Sequence, residues 1–215
     1  QLGASNLKIH DVGVSEADFS MGRGGIDTTA AAVDYMNTSA DHVAGKVTTA
    51  GGGQATASAD NLEVHKLGVR DAAFHLGTDG INATAEQVNW TNTRLQNGQA
   101  SWQGAGGTTV DAGVDQAVVH DLALRDAAFS TDVVSGEASL GSGRFVGHDL
   151  QGASLQLGSG GQTVLGANAD LHSSHSVHGA AASWDLSRGQ LGASVDQYTH
   201  DRSLKNAAFT VSQAP

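Results

Sequence analysis

The chain has 215 residues, a formal net charge of −11 and no cysteine. The negative charge opposes nucleic-acid binding, because proteins of that class present a basic face, and the lack of cysteine excludes disulfides and thiol chemistry. No apolar run approaches the roughly 20 residues that a membrane helix needs, so we expect no membrane span. Charged residues make up 15% of the chain and glycine supplies 29 residues, a composition that favours an all-β fold.

The sequence is an eight-unit repeat, and three columns of similar residues define it. The first column consists of His10, Asn37, His65, Asn92, His120, His148, His175 and His200. The second consists of Ala17, Ala44, Ala72, Ala100, Ala127, Ala153, Ala182 and Ala207. The third, two positions later, consists of Phe19, Phe74, Trp102, Phe129, Leu155, Trp184 and Phe209, with Lys46 in the second unit. A repeat of this length predicts stacked units that share one core.

We therefore predict a single elongated β-repeat domain over residues 1–215. Its units are approximately residues 1–25, 26–53, 54–80, 81–107, 108–135, 136–161, 162–189 and 190–215. Glycine clusters recur at 22–25, 51–53, 77–80, 104–107 and 158–161. They predict tight turns, since glycine adopts the positive φ values that such turns require.

The third unit shows the strand pattern most clearly. Its apolar residues alternate in four sets: Ala55, Ala57 and Ala59; Leu62 and Val64; Leu67 and Val69; Ala72, Phe74 and Leu76. A period of two within each set predicts β-strand. Between sets the phase slips by one residue, at Asp60-Asn61, His65-Lys66 and Arg70-Asp71. A slip in a flat strand turns its apolar residues to the opposite face, so we interpret the slips as corners around a closed interior.

Strands and corners in this order favour a parallel β-solenoid, or β-helix, of eight coils of about 27 residues each. In a parallel stack, equivalent residues lie directly above one another. The His/Asn column would then form a hydrogen-bonded ladder at a bend, and the aromatic column would form a stack. This arrangement resembles the architecture of secreted parallel β-helix proteins.

The alternative fold is an antiparallel β groove or barrel built from the same repeats. Units three and five share the phrase Arg-Asp-Ala-Ala-Phe at 70–74 and 125–129, which makes a 55-residue double unit visible. The phrases Leu62-x-Val64-x-x-Leu67-x-Val69 and Ala117-x-Val119-x-x-Leu122-x-Leu124 also resemble the repeats of the bacterial AsmA and TamB lipid-groove proteins. That resemblance implies a lipid or another apolar ligand in a concave face. We favour the solenoid, because antiparallel strands would be expected to separate the residues of the His/Asn column.

One cluster of side chains is a candidate metal site. His172, His175 and His178 recur at every third position, and histidines so spaced can converge on zinc where the chain bends. Several column histidines precede an aspartate, but neighbours in a strand point to opposite faces, and no nucleophile motif accompanies them. We therefore expect no catalytic residues and no cofactor.

The leading functional hypothesis is a non-enzymatic extracellular β-solenoid that acts as a stalk, adhesin passenger or surface-layer component. Repetition of one surface motif would strengthen weak contacts to a repetitive partner, such as a polysaccharide or another surface protein. Exposed terminal coils would also promote self-association. The acidic, glycine-rich, cysteine-free composition favours an extracellular or cell-surface location in a bacterium. The alternatives are a lipid or apolar-ligand binding β-groove protein of the cell envelope and a carbohydrate-active β-helix enzyme.

Overall fold

A computed structural model describes residues 1–49, 52–78, 80–104, 106–132, 134–160 and 162–212 of the protein. The described residues form an all-β structure with one strand in each repeat unit. The strands are β1 (Leu2–Gly22), β2 (Gly25–Thr48), β3 (Gln54–Gly77), β4 (Gly80–Gln103), β5 (Thr108–Thr131), β6 (Ser135–Ser159), β7 (Gln162–Asp185) and β8 (Gln190–Val211). Each strand is thus several times longer than the usual five or six residues.

The eight strands make one sheet in sequence order, and every neighbouring pair is antiparallel. The sheet is open, with β1 and β8 at its two edges. The prediction of a parallel β-solenoid is therefore wrong. Each unit is one long strand and not a coil, and the short glycine-rich links leave the chain no room for the crossover that parallel strands need.

Glycine-rich links follow β1, β2, β3, β4 and β6, as the sequence indicated. After β5 and β7, the carboxylates of Asp132 and Asp185 accept backbone N–H groups instead. Between β1 and β2, Gly25 adopts φ 139°, and Gly80 at the start of β4 adopts φ 129°. An added Cβ at Gly25 would lie 2.2 Å from the carbonyl oxygen of Leu76 in β3, so the pairing of β2 with β3 also requires the missing side chain. Residues 51, 79, 105 and 161 of the predicted glycine turns lie outside the described residues.

All strands are kinked at positions where the pairing skips one residue on both partners. Between β2 and β3 the skipped pairs are Ala31 with Asp71, Asn37 with His65, and His42 with Asp60. One member of each pair has a left-handed backbone: Asp71 at φ 47°, His65 at φ 56° and His42 at φ 49°. Because both strands skip a residue together, the register is retained while the side-chain alternation slips by one. The slips predicted in the third unit are thus kinks of an open sheet and not corners around an interior.

The kinks lie in three rows that cross the sheet. The central row contains His10, Asn37, His65, Asn92, His120 and Gly147. The acidic row contains Glu16, Ala31, Asp71, Glu86, Asp126, Gly141, Gly179 and Asp196. The Asp–Asn row contains Asn6, Asp41, His42, Asp60, Asn61, Asn97, Asp115, Gly152, Asp170 and Asn206, which are skipped or hydrogen-bonded there.

Antiparallel pairing places the three sequence columns differently. The His/Asn column lies at the middle of the strands, so its first five members remain neighbours across the central row. His148 departs from it, because Gly147 faces His120 and His148 pairs with Val119. The alanine and aromatic columns alternate between the two ends of the sheet, so successive members do not stack as predicted.

The described residues contain almost no hydrophobic core. Only Ala30, Ala40, Ala59 and Val146 are buried apolar residues, and no large side chain is fully buried. The accessible surface is 13357 Å², whereas a compact protein of 21.8 kDa would expose about 9,300 Å². The apolar side chains therefore lie on a surface of the sheet and not between layers.

Candidate functional site

One face of the sheet is apolar along the full length of the strands, and the kinks create it. On β5 the residues of this apolar face are Val110, Ala112, Val114, Ala117, Val119, Leu122, Leu124, Ala127 and Phe129. Two residues separate Val114 from Ala117, Val119 from Leu122 and Leu124 from Ala127. In a regular strand each such interval would reverse the face, and the kink that lies in each interval restores it.

The apolar face continues from strand to strand through directly opposed residues. Val69 of β3 pairs with Val88 of β4, which in turn pairs with Leu124 of β5. At one end of the strands, Phe129 and Trp184 reach each other across β6 with ring centroids 5.9 Å apart. Gly136 lies between them, and an added Cβ there would come within 2.3 Å of Trp184. Close packing on this face thus extends beyond nearest-neighbour strands.

Many large side chains of the apolar face remain in contact with solvent. Phe74 and Trp102 are each 41% exposed, and Leu155 is 40% exposed. These three belong to interior strands, so their exposure is not an effect of the sheet edges. An apolar surface that spans a whole sheet greatly exceeds the few hundred Å² found on ordinary monomers, and such surfaces mark interaction sites.

The central row carries polar hydrogen bonds between neighbouring strands. Asn37 Nδ2 donates to His65 Nδ1 at 3.3 Å, and Asn92 Nδ2 donates to His120 Nδ1 at 3.4 Å. Two links of the predicted ladder of imidazoles and amides are therefore present, across an antiparallel sheet and not along a parallel stack. The row lies beside the apolar face, since the ring of His120 stacks on Phe145, the direct partner of Leu122.

Aromatic rings continue the central row through the last strands. Phe145 faces His120 at 6.1 Å and His175 at 6.4 Å between ring centroids. His175 in turn stacks on His200 at 4.2 Å with an interplanar angle of 12°. Tyr198 completes the group, with its hydroxyl 2.7 Å from His175 Nδ1. Phe145 thus occupies the place in the row where the repeat predicted His148.

The Asp–Asn row is held by ionised carboxylates. Asp41 accepts hydrogen bonds from Asn6 Nδ2 at 2.9 Å and Asn61 Nδ2 at 3.0 Å. These two bonds, led by the one from Asn6, lower the pKa of Asp41. The pKa of Asp170 is lowered likewise, first by the backbone N–H of Gly152 and then by the side-chain amide of Asn206. The carboxylates therefore stay charged and connect the kinks of adjacent strands.

The opposite face of the sheet is mostly polar or small. Arg70 and Asp34 form an ion pair there at 2.9 Å. Near one end of the strands a depression of about 490 Å³ is lined mainly by hydroxyl, amide and alanine side chains, such as Asn82 and Ser139, together with Glu137 and Phe129 of the apolar face. The two faces thus differ sharply in chemistry, as expected of an antiparallel sheet with one solvated side.

The structure does not bring His172, His175 and His178 together. Alternation along β7 places His175 on the opposite face from His172 and His178. His172 contacts Ser174 Oγ at 2.9 Å, and its Nδ1 lies 3.7 Å from Asp149. Within the described ranges, no group of three or more His, Asp or Glu side chains is arranged to hold a metal ion.

Several residues of the site were not predicted from the sequence. Tyr35, Trp90 and Phe145 lie on the apolar face of alternate strands, 55 residues apart, and Tyr198 follows at 53. The double period that the Arg-Asp-Ala-Ala-Phe phrase revealed was the signal that could have identified this set. The carboxylates Asp41 and Asp170 were missed because their partners are on adjacent strands, and those partners depend on strand direction.

No protein-family model, curated protein or solved structure matches this chain. Within the described residues, no helix combines the length and hydrophobicity needed to cross a membrane.

Proposed function

We propose that this protein is a non-enzymatic binding protein that holds a lipid-like amphiphile against the apolar face of its sheet. The observation that carries the proposal is the set of kinks, which keeps one face apolar in every strand even though the sequence phase slips three times. A protein with no need of such a face could place polar residues there at no loss of buried core. The proposal keeps the cell-envelope or extracellular location expected from composition.

The layout of the apolar face favours an amphiphile over a purely apolar ligand. One apolar field lies between the central and acidic rows and contains Leu67, Val69, Val88, Leu122 and Leu124. The second field lies between the central and Asp–Asn rows and contains Leu62, Val64, Leu95, Ala117 and Val119. The imidazoles and amides of the central row separate the two fields. Beyond the acidic row the apolar face continues to Phe74. Acyl chains would cover the fields and this continuation of the face while a polar headgroup contacts the central row.

The same layout opposes a face-to-face dimer of this chain. Two stacked sheets would enclose His148, His175 and Arg202, which lie on the apolar face of β6, β7 and β8. Burying polar and charged groups without partners costs several kcal/mol. The hypothesis of an adhesive rod loses its premise, because it required parallel coils that present identical surfaces side by side.

Binding of a fluorescent fatty acid, cis-parinaric acid, tests the proposal. We expect saturable binding to the wild-type chain and weaker binding to Phe74→Gln. Covering the 41% of Phe74 that is exposed is worth about 1 kcal/mol, or about three- to eightfold in affinity. Ala73→Gln is the matched control, because Ala73 is the exposed neighbour on the polar face, and it should bind like the wild type.

Two results would overturn the proposal. One is equal loss of affinity in Phe74→Gln and Ala73→Gln, which would show that the fatty acid does not select the apolar face. The other is failure to bind together with a dimer in sedimentation velocity that Phe74→Gln dissociates. That outcome would identify a second copy of the chain as the partner of this face.

A further inference from the structure

The contact between His175 and His200 differs from every other rung of the central row in the described residues. In the β2–β3 and β4–β5 rungs an amide occupies the Nδ1 of the imidazole, as in Asn37–His65 and Asn92–His120. At the first rung His10 Nδ1 lies 3.5 Å from the Tyr35 hydroxyl, and at the β5–β6 rung His120 faces Gly147. In the His175–His200 rung two imidazoles are directly opposed on adjacent strands, 4.2 Å apart. No amide competes for their ring nitrogens in this rung.

Loss of the central kink brings these two histidines into line. At the β6–β7 pairing the register shifts between Val146 and His148, because Gly147 has no partner on β7. Residues 171–177 of β7 therefore alternate without a slip, and His175 joins the apolar face beside Phe145. β8 follows the same course, so that His200 lies opposite His175 and Tyr198 lies two residues before it.

The environment of His175 also prepares it as a metal ligand. Its Nδ1 lies 2.7 Å from the Tyr198 hydroxyl. Metal-binding histidines almost always donate one ring N–H to an oxygen, which fixes the tautomer and leaves the other nitrogen free to ligate. With Nδ1–H donated to Tyr198, the lone pair is on Nε2. The ring of His200 is exposed to solvent. The two rings are nearly parallel, so rotation of the His200 ring about its side-chain bonds would be needed to place one of its nitrogens and His175 Nε2 at about 2.0–2.1 Å from a common ion.

We propose that His175 and His200 form a two-imidazole site for a late first-row transition-metal ion, with water as the remaining ligands. Among divalent ions an imidazole site binds Cu²⁺ most tightly. The net charge of −11 attracts cations in general. Arg202 lies two residues further along β8 on the same face, so the site favours ions with strong imidazole affinity over those held by charge alone. The inference is independent of the lipid proposal.

The test is calorimetric titration of CuCl2 into the lipid-free chain at pH 7.4. We expect one Cu²⁺ per chain at the strongest site of the wild type and loss of that site in His200→Asn. This variant is chosen because it recreates the Asn–His rung seen twice in the same row, so the fold is retained. His178→Asn, on the other face of β7, is the matched control and should keep the site.

Electron paramagnetic resonance supplies a second measurement that folding defects do not imitate. The wild-type Cu²⁺ spectrum should show hyperfine coupling to two imidazole nitrogens, and His175→Asn should remove it. Cu²⁺ bound at the N-terminal amine should give the same signal in all variants, so subtracting the spectrum of a variant from that of the wild type removes this signal. Loss of the site in His178→Asn together with its retention in His200→Asn would overturn the proposal and assign binding to the sequence-predicted cluster. Identical titrations of all variants would overturn it outright.

Discussion

At the residue scale, the kinks explain why polar residues interrupt an otherwise apolar pattern. A single left-handed residue inside a strand is disfavoured for most side chains, and histidine, asparagine and aspartate are the types that tolerate it best after glycine. His10, His65 and His120 adopt φ values of 58°, 56° and 55°, and Asp71 and Asp126 adopt 47° and 52°. The histidines of the His/Asn column are therefore explained first by the left-handed backbone at the kinks, and only second by the hydrogen bonds between neighbouring strands.

Asp41 and Asp170, whose pKa values are lowered in the Asp–Asn row, make stability depend on pH. Because its folded pKa is lowered below the ordinary 3.8, the contribution of Asp170 to stability is fully present above that value. It is lost as the pH falls through the folded pKa. We expect Asn206→Ala to raise the pKa of Asp170 back toward the ordinary value, since one of its two donors is removed.

Carbon-detected NMR titration of the aspartate side chains measures this shift directly. The pKa of Asp132 is the internal control, because the backbone N–H groups of Ser135 and Val134 lower it within a single turn. It should not change in Asn206→Ala. The difference in unfolding free energy between wild type and variant should be constant above about pH 5 and should shrink in more acidic solution. A difference that grows on acidification would contradict the assigned role of Asn206.

At the scale of the strand, the sequence revealed the kinks but not the direction of the chain. Phase slips in the third unit located all three kinks of β3, because each slip is a local property of one strand. Direction was misjudged because His10, Asn37 and His65 lie at mid-strand, where reversing a strand leaves the residue in place. Residues near the ends of the strands distinguish parallel from antiparallel pairing. Ala17 pairs with Ala30 and not with Ala44, and no pattern within a single strand predicts this pairing.

The 55-residue double period was the sequence signal for antiparallel pairing. The odd strands β1, β3 and β5 place left-handed residues in the central and acidic rows, whereas β7 does so only in the acidic row, at Gly179. The even strands place theirs in the Asp–Asn row, at His42, Asn97, Gly152 and Asn206, where β1 also has Asn6. Alternate strands therefore need different residues at equivalent positions, and similarity returns only every second unit. The apolar face could be predicted from the alternation of apolar residues along each single strand. The His175–His200 contact could not be predicted in this way, because it depends on the register between β7 and β8.

A glycine substitution tests whether the kinks hold the strands as described. Gly152 in β6 has φ 62°, and an added Cβ would lie 2.1 Å from Asp115 Oδ2 on the neighbouring strand. Gly189 in the last turn has nearly the same φ of 64° and open space around it. We expect Gly189→Ala to lower the unfolding free energy by about 1–2 kcal/mol, the cost of a left-handed backbone alone. Gly152→Ala should lower it further, because Asp115 must move.

Urea denaturation of the two variants separates these effects. The excess loss in Gly152→Ala over Gly189→Ala measures the contact across the Asp–Asn row. Equal losses would show that β5 and β6 are not in contact at this kink.

At the scale of the molecule, the sheet has two open edges and an uncovered apolar face. β1 and β8 are exposed along almost their whole length, with Val12 61% and Val195 55% exposed on the apolar face. Long exposed edges with unpaired backbone groups are templates for further strands. Both edge strands begin with the phrase Gln-Leu-Gly-Ala-Ser, at 1–5 and 190–194. In addition, the pairs β2–β3, β4–β5 and β6–β7 each join an even-numbered strand to the odd-numbered strand that follows it. Pairing of β8 of one copy with β1 of another would be of the same kind.

We therefore expect the chain to self-associate by pairing β8 of one copy with β1 of the next. Such a head-to-tail contact does not close, so sedimentation velocity should show a series of oligomers that grows with concentration. Val12→Lys blocks β1 and Val195→Lys blocks β8, and each variant alone should be monomeric. An equimolar mixture should stop at the dimer, because it retains one usable edge of each kind. Ser15→Lys, with the same change in charge on the polar face, should associate like the wild type. Dimers of Val195→Lys alone would show instead that β1 pairs with another β1.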